Sequence, residues 1–170
     1  MWATRGGVQV DPIREAHRQW VAHGWGSAAD GMAMVTSVVR AHQLLMERID
    51  AVLRPRDLSF ARYEVLRVLS FTRTGELPMA RLGSLLQVHP TSVTSAVARL
   101  EKQGYVVRTR SDADRRVVLA AITDAGREAV EEATVGLNSE VFEKPGIDDV
   151  VTLTGLLAEL RAAAGDAVDG

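Results

Sequence analysis

The 170-residue sequence contains no cysteine. That absence excludes disulfides, thiol nucleophiles, thiolate metal sites and thiol redox sensing together, and it fits a cytoplasmic protein. Proline is sparse at 5 residues, and the 14 glycines follow no three-residue period, so a collagen-like chain is excluded. No apolar run reaches the roughly 18 residues that a membrane helix needs; the longest are interrupted by Arg40, Glu47 or Arg62. No basic segment leads into an apolar core at the start, so no signal peptide is expected. The four histidines (His17, His23, His42 and His89) share no ligand-type spacing, so neither a metal nor a cofactor is expected. There is no Gly-rich phosphate loop, no Gly-x-Ser-x-Gly elbow and no metalloprotease His pair. No catalytic residue stands out, and the sequence does not read as an enzyme.

What is present is an ordinary globular composition, 46% hydrophobic and 25% charged. The length suits one domain, or one domain with a dimerisation appendage. The net charge of −2 hides an asymmetry. Residues 1–53 are neutral. Residues 54–118 carry twelve basic and six acidic side chains, and residues 119–170 carry three basic and eleven acidic. The only lysines are Lys102 and Lys144, so the basic middle is a field of arginines, whose planar donor forks suit phosphates and guanine edges. The middle either meets a polyanion or pairs with the acidic end of the same chain.

Along the chain, residues 1–10 read as a flexible leader. Asp11-Pro12 supplies an N-cap and a first-turn proline for a helix to about His23. Gly24, Gly26 and Ser27 should break it. A long helix is expected from about Asp30 to Leu53, where Met32, Val35, Val39, His42, Met46, Ile49 and Leu53 step by three and four as a coiled-coil-type seam. Pro55 ends it.

Ser59 caps a third helix with Phe60, Tyr63, Leu66 and Leu69 or Ser70 on one side. Thr72 to Gly75 turns into a short strand, Glu76 to Pro78. Met79 to Leu86 reads as a short helix with Leu82, Leu85 and Leu86 inward, Gln87-Val88 as a turn, and Pro90 to Gln103 as a helix that buries Val93, Val97 and Leu100 and stops at Gly104. Tyr105 to Arg110 and Arg116 to Ile122 read as strands around a polar turn. Thr123-Asp124 starts a helix to about Val141, Lys144-Pro145-Gly146 breaks it, and a last helix from Asp148 repeats the three-four seam at Val150, Leu153, Leu157, Leu160 and Ala164.

The middle order, two helices on a tight turn followed by a hairpin, is that of a helix able to enter a DNA major groove with a wing beside it. In the run from His89 and Pro90 through Thr91, Ser92, Val93, Thr94 and Ser95, hydroxyls occupy the outward positions. They are short enough for close approach to base edges and phosphates, and a helix start offers free N–H groups to an anion. Arg99, two turns on, could reach a flanking phosphate. The same hydroxyls could serve only as caps on a solvated face. Likewise Asp114, Arg115 and Arg116 could form a closed turn salt bridge or the tip of a wing, with Arg110 at its root.

These residues resemble the MarR family of winged-helix regulators. The resemblance covers about residues 30–164 and rests on Leu85 through Thr94, on Arg99-Leu100-Glu101-Lys102-Gln103-Gly104-Tyr105-Val106, on Asp114-Arg115-Arg116, and on Leu119 through Gly126 with its Thr123-Asp124-Ala125-Gly126. It implies a two-fold homodimer held by the chain ends, with the helix from Pro90 in the major groove of double-stranded DNA and the hairpin tip at the adjacent minor groove. Arginine is favoured where a minor groove is narrow and strongly negative. Arg116 is the stronger candidate for insertion, Arg115 the next, and Asp114 an organiser of the loop. One departure stands out: where some members carry an aspartate late in the recognition helix that pairs with the wing, this sequence reads Ala96-Val97-Ala98.

Small-molecule effectors act on proteins like these near the junction of dimer and DNA lobes. The helix bearing Trp20 is similar to that of a urate-responsive branch, and Glu64 stands where that branch places an acidic residue. The accompanying arginines fall on Phe71 and Ala96, which departs from urate itself. His42 is either a buried histidine satisfied by a carbonyl or a donor to an effector, with Trp20, Trp25 and Tyr63 as flat walls and Arg40 and His17 as anion partners.

The expectation is a mostly α fold with a small β-hairpin wing, a winged helix-turn-helix in a MarR-like dimer. Residues 11–53 would carry dimerisation and a ligand pocket, residues 54–122 the DNA-binding domain, and residues 123–170 further dimerisation helices. The expected function is a cytoplasmic DNA-binding regulator, a repressor released by an aromatic or carboxylate-like effector, with no membrane partner. A winged helix used only for protein interaction is the competing class.

Overall fold

In the computed structural model, residues 10–86 and 90–168 are described. The expected leader, the Gln87-Val88 turn and His89 lie outside or at the edge of these residues, and of Pro90 only the backbone is described. The chain forms two compact units, Met1–Glu47 and Arg48–Gly170.

In the first unit, α1 spans Pro12–Ala22. Asp11 caps it by accepting from the Ile13 N–H at 3.0 Å, and Pro12 occupies a first-turn position where its missing N–H costs nothing. Gly24, at φ 84°, makes the turn. Helix α2 spans Gly26–Leu53 and so begins four residues before the expected Asp30. The break is confined to His23 through Trp25, and the Ala28 N–H already bonds the Trp25 carbonyl at 3.0 Å. The seam of α2 is buried at Ile49 and Leu53, whereas Val35, Val39 and His42 are exposed on this chain.

The second unit takes the last six residues of α2 onward. A single 3-10 turn, Arg54–Arg56, follows α2 around Pro55. Helix α3 (Phe60–Phe71), capped by Ser59, buries Tyr63, Val65, Leu66 and Leu69. Strand β1 (Glu76–Pro78) leads into α4 (Met79–Leu86), which buries Leu82 but leaves Leu85 outward, contrary to its expected inward place. Helix α5 (Pro90–Lys102) buries Val93, Ala96, Val97 and Leu100 against this core.

Strands β2 (Val106–Arg110) and β3 (Val118–Ile122) form an antiparallel hairpin with Val106 opposite Ile122 and Arg110 opposite Val118. β1 adds to the other edge of β3, giving the order β1-β3-β2. On β3 the period-two pattern buries Ala120 and Ile122; on β2 only Val106 is buried, and Val107 to Arg110 are all exposed.

Helix α6 (Asp124–Leu137) starts on Thr123, whose hydroxyl accepts from the Gly126 N–H at 3.1 Å and donates to the Gly104 carbonyl at 2.7 Å. Gly126 lies against Tyr105, where a Cβ would stand 2.3 Å from the carbonyl oxygen. The helix expected to reach Val141 gives way after Leu137 to a wider π turn, Asn138–Phe142, closed by the Glu143 N–H on the Asn138 carbonyl at 2.9 Å. Arg48 secures this turn by donating to the carbonyls of Glu140 (2.7 Å) and Lys144 (2.6 Å). Helix α7 (Val150–Ala163) starts on Asp149, one residue after the expected cap, and buries none of its side chains. Among the described residues no helix is long and apolar enough to cross a membrane.

Candidate nucleic-acid interface

Helix α5 presents two unlike faces. Its branched residues are sunk in the core, and Thr91, Ser92, Thr94, Ser95 and Arg99 are all exposed on the other side. This division follows from the 3.6-residue period of a helix whose apolar residues recur at 93, 96, 97 and 100. His89 lies outside the described residues.

The wing loop is organised by its aspartate. Asp114 accepts the Arg116 N–H through Oδ1 at 2.9 Å, and its carbonyl accepts the Val117 N–H at 2.9 Å. Ser111 receives the Ala113 N–H on its hydroxyl at 3.3 Å and bonds the Val117 carbonyl through its own N–H at 3.0 Å. Arg110 donates to the Arg115 carbonyl at 3.2 Å. The Asp114 carboxylate is thus used on backbone, and among the described residues neither Arg115 nor Arg116 is ion-paired. The closed salt-bridged turn, one of the two sequence alternatives, is not formed; two exposed guanidinium groups crown the hairpin.

Helix α5 and strand β2 are joined by a pair of residues that their spacing in the sequence does not single out. Arg108 on β2 donates to Glu101 Oε2 at 2.9 and 2.5 Å. The hydrogen bonds from Arg108 hold the Glu101 carboxyl below its ordinary 4.5. The only sequence signal was opposite charges on either side of the Gly104 stop.

The proposed effector residues fall in both units. In the first, Trp20 is half-buried and meets Trp25 edge-on with ring centroids 5.4 Å apart. Arg40 donates to Gln43 at 3.3 Å, and His42 is exposed, so on this chain it is not a histidine buried on a carbonyl. A shallow cleft of about 260 Å³ is lined by Ile13, Arg14, His17, Arg18 and Ala33, with His17 Nε2 2.8 Å from Asp30 Oδ1. In the second, Tyr63 is buried, its hydroxyl 3.0 Å from Thr134 Oγ1. Glu64 is half-buried, and burial pushes its carboxyl above the usual 4.5. Phe71, at one of the branch's arginine positions, is 77% exposed with the Arg67 guanidinium 5.1 Å from its ring centre. Ala96, at the other, is buried.

A tight helix pair, an outward polar helix face and an arginine-tipped hairpin define a winged helix-turn-helix. Residues 56–117 match the MarR family. The fold is similar to that of Sco5413, a MarR family transcriptional regulator from Streptomyces coelicolor, with 44% identity and a TM-score of 0.73 over 82% of this chain and 99% of that one. FarR, an HTH-type transcriptional regulator from Neisseria gonorrhoeae, is 27% identical over 126 residues, 72% of this chain and 85% of its own length. YhbI, an HTH-type transcriptional regulator from Bacillus subtilis, is 32% identical over 87 residues, 51% of this chain and 55% of that protein. The chain belongs to the MarR family of transcriptional regulators.

Proposed function

We propose that this protein is a cytoplasmic repressor that binds a pseudo-palindromic operator as a homodimer and is released by a small aromatic or carboxylate-bearing effector. The observation that carries the reading is the exposed hydroxyl face of α5 in the same unit as the arginine-crowned wing. Thr91, Ser92, Thr94 and Ser95 would read base edges, with Pro90 and His89 at the helix start. Arg99 and Arg110 would hold phosphates, Arg116 and Arg115 would enter the minor groove, and Asp114 would shape the loop. Residues 54–122 are the DNA-binding part. Residues 11–53 and 123–170 supply the dimer contacts, for which the exposed Val35, Val39, Val151 and Leu156 are the apolar surface.

Two-fold symmetry then places the recognition helices about 34 Å apart on one face of the duplex. An effector changes occupancy only through different affinity for DNA-competent and incompetent spacings; its candidate contacts are Trp20, Arg40 and His42 in the first unit and Tyr63 and Glu64 in the second. A coupling of about 1–3 kcal/mol gives the ~5–150-fold change such switches need. A gel shift with the DNA upstream of its own gene, competed by random duplex, tests the reading: a specific shift relieved by small aromatic acids is expected. Equal binding to both duplexes would remove the operator reading, and binding to neither would leave the winged helix as a protein-interaction module.

A further inference from the structure

Gln103 follows directly on the last residue of α5 and is half-buried. Its carboxamide is used at both ends. Oε1 accepts from Arg62 Nη1 at 3.0 Å, while Nε2 donates to the main-chain carbonyl of Asp57 at 2.8 Å and to Asp57 Oδ2 at 3.1 Å. The orientation is set by chemistry: a guanidinium has only donors and therefore faces the amide oxygen. Arg62 is held in turn by Ser59 Oγ at 3.2 Å. Asp57 is the one non-glycine residue at positive φ among the described residues (49°), and it closes the 3-10 turn that leads out of α2. One side chain at the C-terminal end of α5 thus grips the corner between α2 and α3.

The geometry points to Gln103 as a positioning residue that fixes the tilt of α5 from the end that touches no DNA. This rests on the reading of α5 as the groove-entering helix. The buried seam Val93, Val97 and Leu100 resists withdrawal but is not directional, whereas the amide and its three partners are. The lever is long. Thirteen residues at 1.5 Å each make a rod of about 20 Å, so a tilt of ~10° at Gln103 sweeps Thr91 and Ser92 through roughly 3 Å, a whole hydrogen-bond length. Asp57 and Arg62 lie 46 and 41 residues from Gln103, which is why sequence spacing gave no hint of the joint.

The test uses the full chain. Gln103→Glu keeps the acceptor for Arg62 but replaces both donors to Asp57 with a carboxylate facing a carboxylate; adding Asp57→Asn restores a donor. In the free protein, hydrogen exchange at 57–58 and 103–105 should quicken several-fold in Gln103→Glu and recover in the double variant. On a duplex selected by the wild-type chain from a random pool, Gln103→Glu should lose about 10-fold in affinity with an unchanged salt slope, again recovered in the double variant. Gln103→Met, uncharged and of similar size, repeats the measurement should Gln103→Glu not fold. Unaltered exchange, unaltered affinity or a changed salt slope would each overturn the positioning role while leaving the regulator reading intact. A wild-type chain that selects no duplex at any salt would overturn the regulator reading, and the positioning role with it.

Discussion

Arg108 and Glu101 join strand β2 to the end of α5, with two guanidinium nitrogens on a single carboxylate oxygen at 2.9 and 2.5 Å. Both side chains are part-exposed, at 37% and 36%. Glu101→Gln should therefore leave the melting temperature nearly unchanged while raising hydrogen exchange across Val106–Arg110. The sign with pH follows from a carboxyl whose folded value is lowered. The contribution is present above 4.5 and lost as pH falls through the folded value, so exchange in the wild-type wing should approach that of the variant only in acid. Identical exchange at neutral pH would remove the pair's role.

Arg116 leaves the wing with no ion partner among the described residues. Arg116→Ala should weaken operator binding and flatten the dependence of affinity on salt by about one counterion, since each cation placed on DNA releases one. Titrations at several salt concentrations measure the slope; an unaltered slope would exclude the wing contact.

Helix α7 buries none of its own residues and exposes Val151 at 84% and Leu156 at 57%. A chain ending before Val150 should sediment as a monomer, because an apolar helix face of this kind is stable only when covered. A dimer that persists in the truncated chain at micromolar concentration would place the interface elsewhere.

Gly126 has no room for a side chain, since its Cβ would meet the Tyr105 carbonyl oxygen at 2.3 Å and Ile122 Cγ1 at 2.9 Å. Both are fixed, one by backbone and one by the sheet. Gly126→Ala should cost about 1–3 kcal/mol of stability, read as a lowered urea midpoint. By contrast Gly155→Ala, on α7 with open space around it, should be neutral or slightly stabilising.

Glu64 is raised above 4.5 by burial, so folding favours its protonated form. Its favourable contribution is full below the unfolded value and lost as pH rises through the folded one. Glu64→Gln should thus raise the denaturation midpoint at pH 7, and the gain should vanish near pH 4. A gain that is constant with pH would mean that burial of the charge is not its source.

Much of this protein is written locally. Asp11-Pro12, Ser59 and Thr123 cap helices through neighbours two or three residues away, and the 93, 97, 100 spacing turns hydroxyls outward on α5 without help from any other element. Alternation along Val118–Ile122 sets the faces of β3, and the loop tip follows from the reach of Asp114 to the Arg116 N–H. These are short-range forces, and residue order alone sets them. Tertiary structure decided what depends on residues distant in the chain. It left His42 exposed on the seam of α2, turned Leu85 out of the core, and stopped α6 at a π turn gripped by Arg48. It also paired Glu101 with Arg108 and brought Gln103 to Asp57 across 46 residues. Periodicity names the apolar face of a helix, but which part of that face is covered depends on what the rest of the fold brings against it.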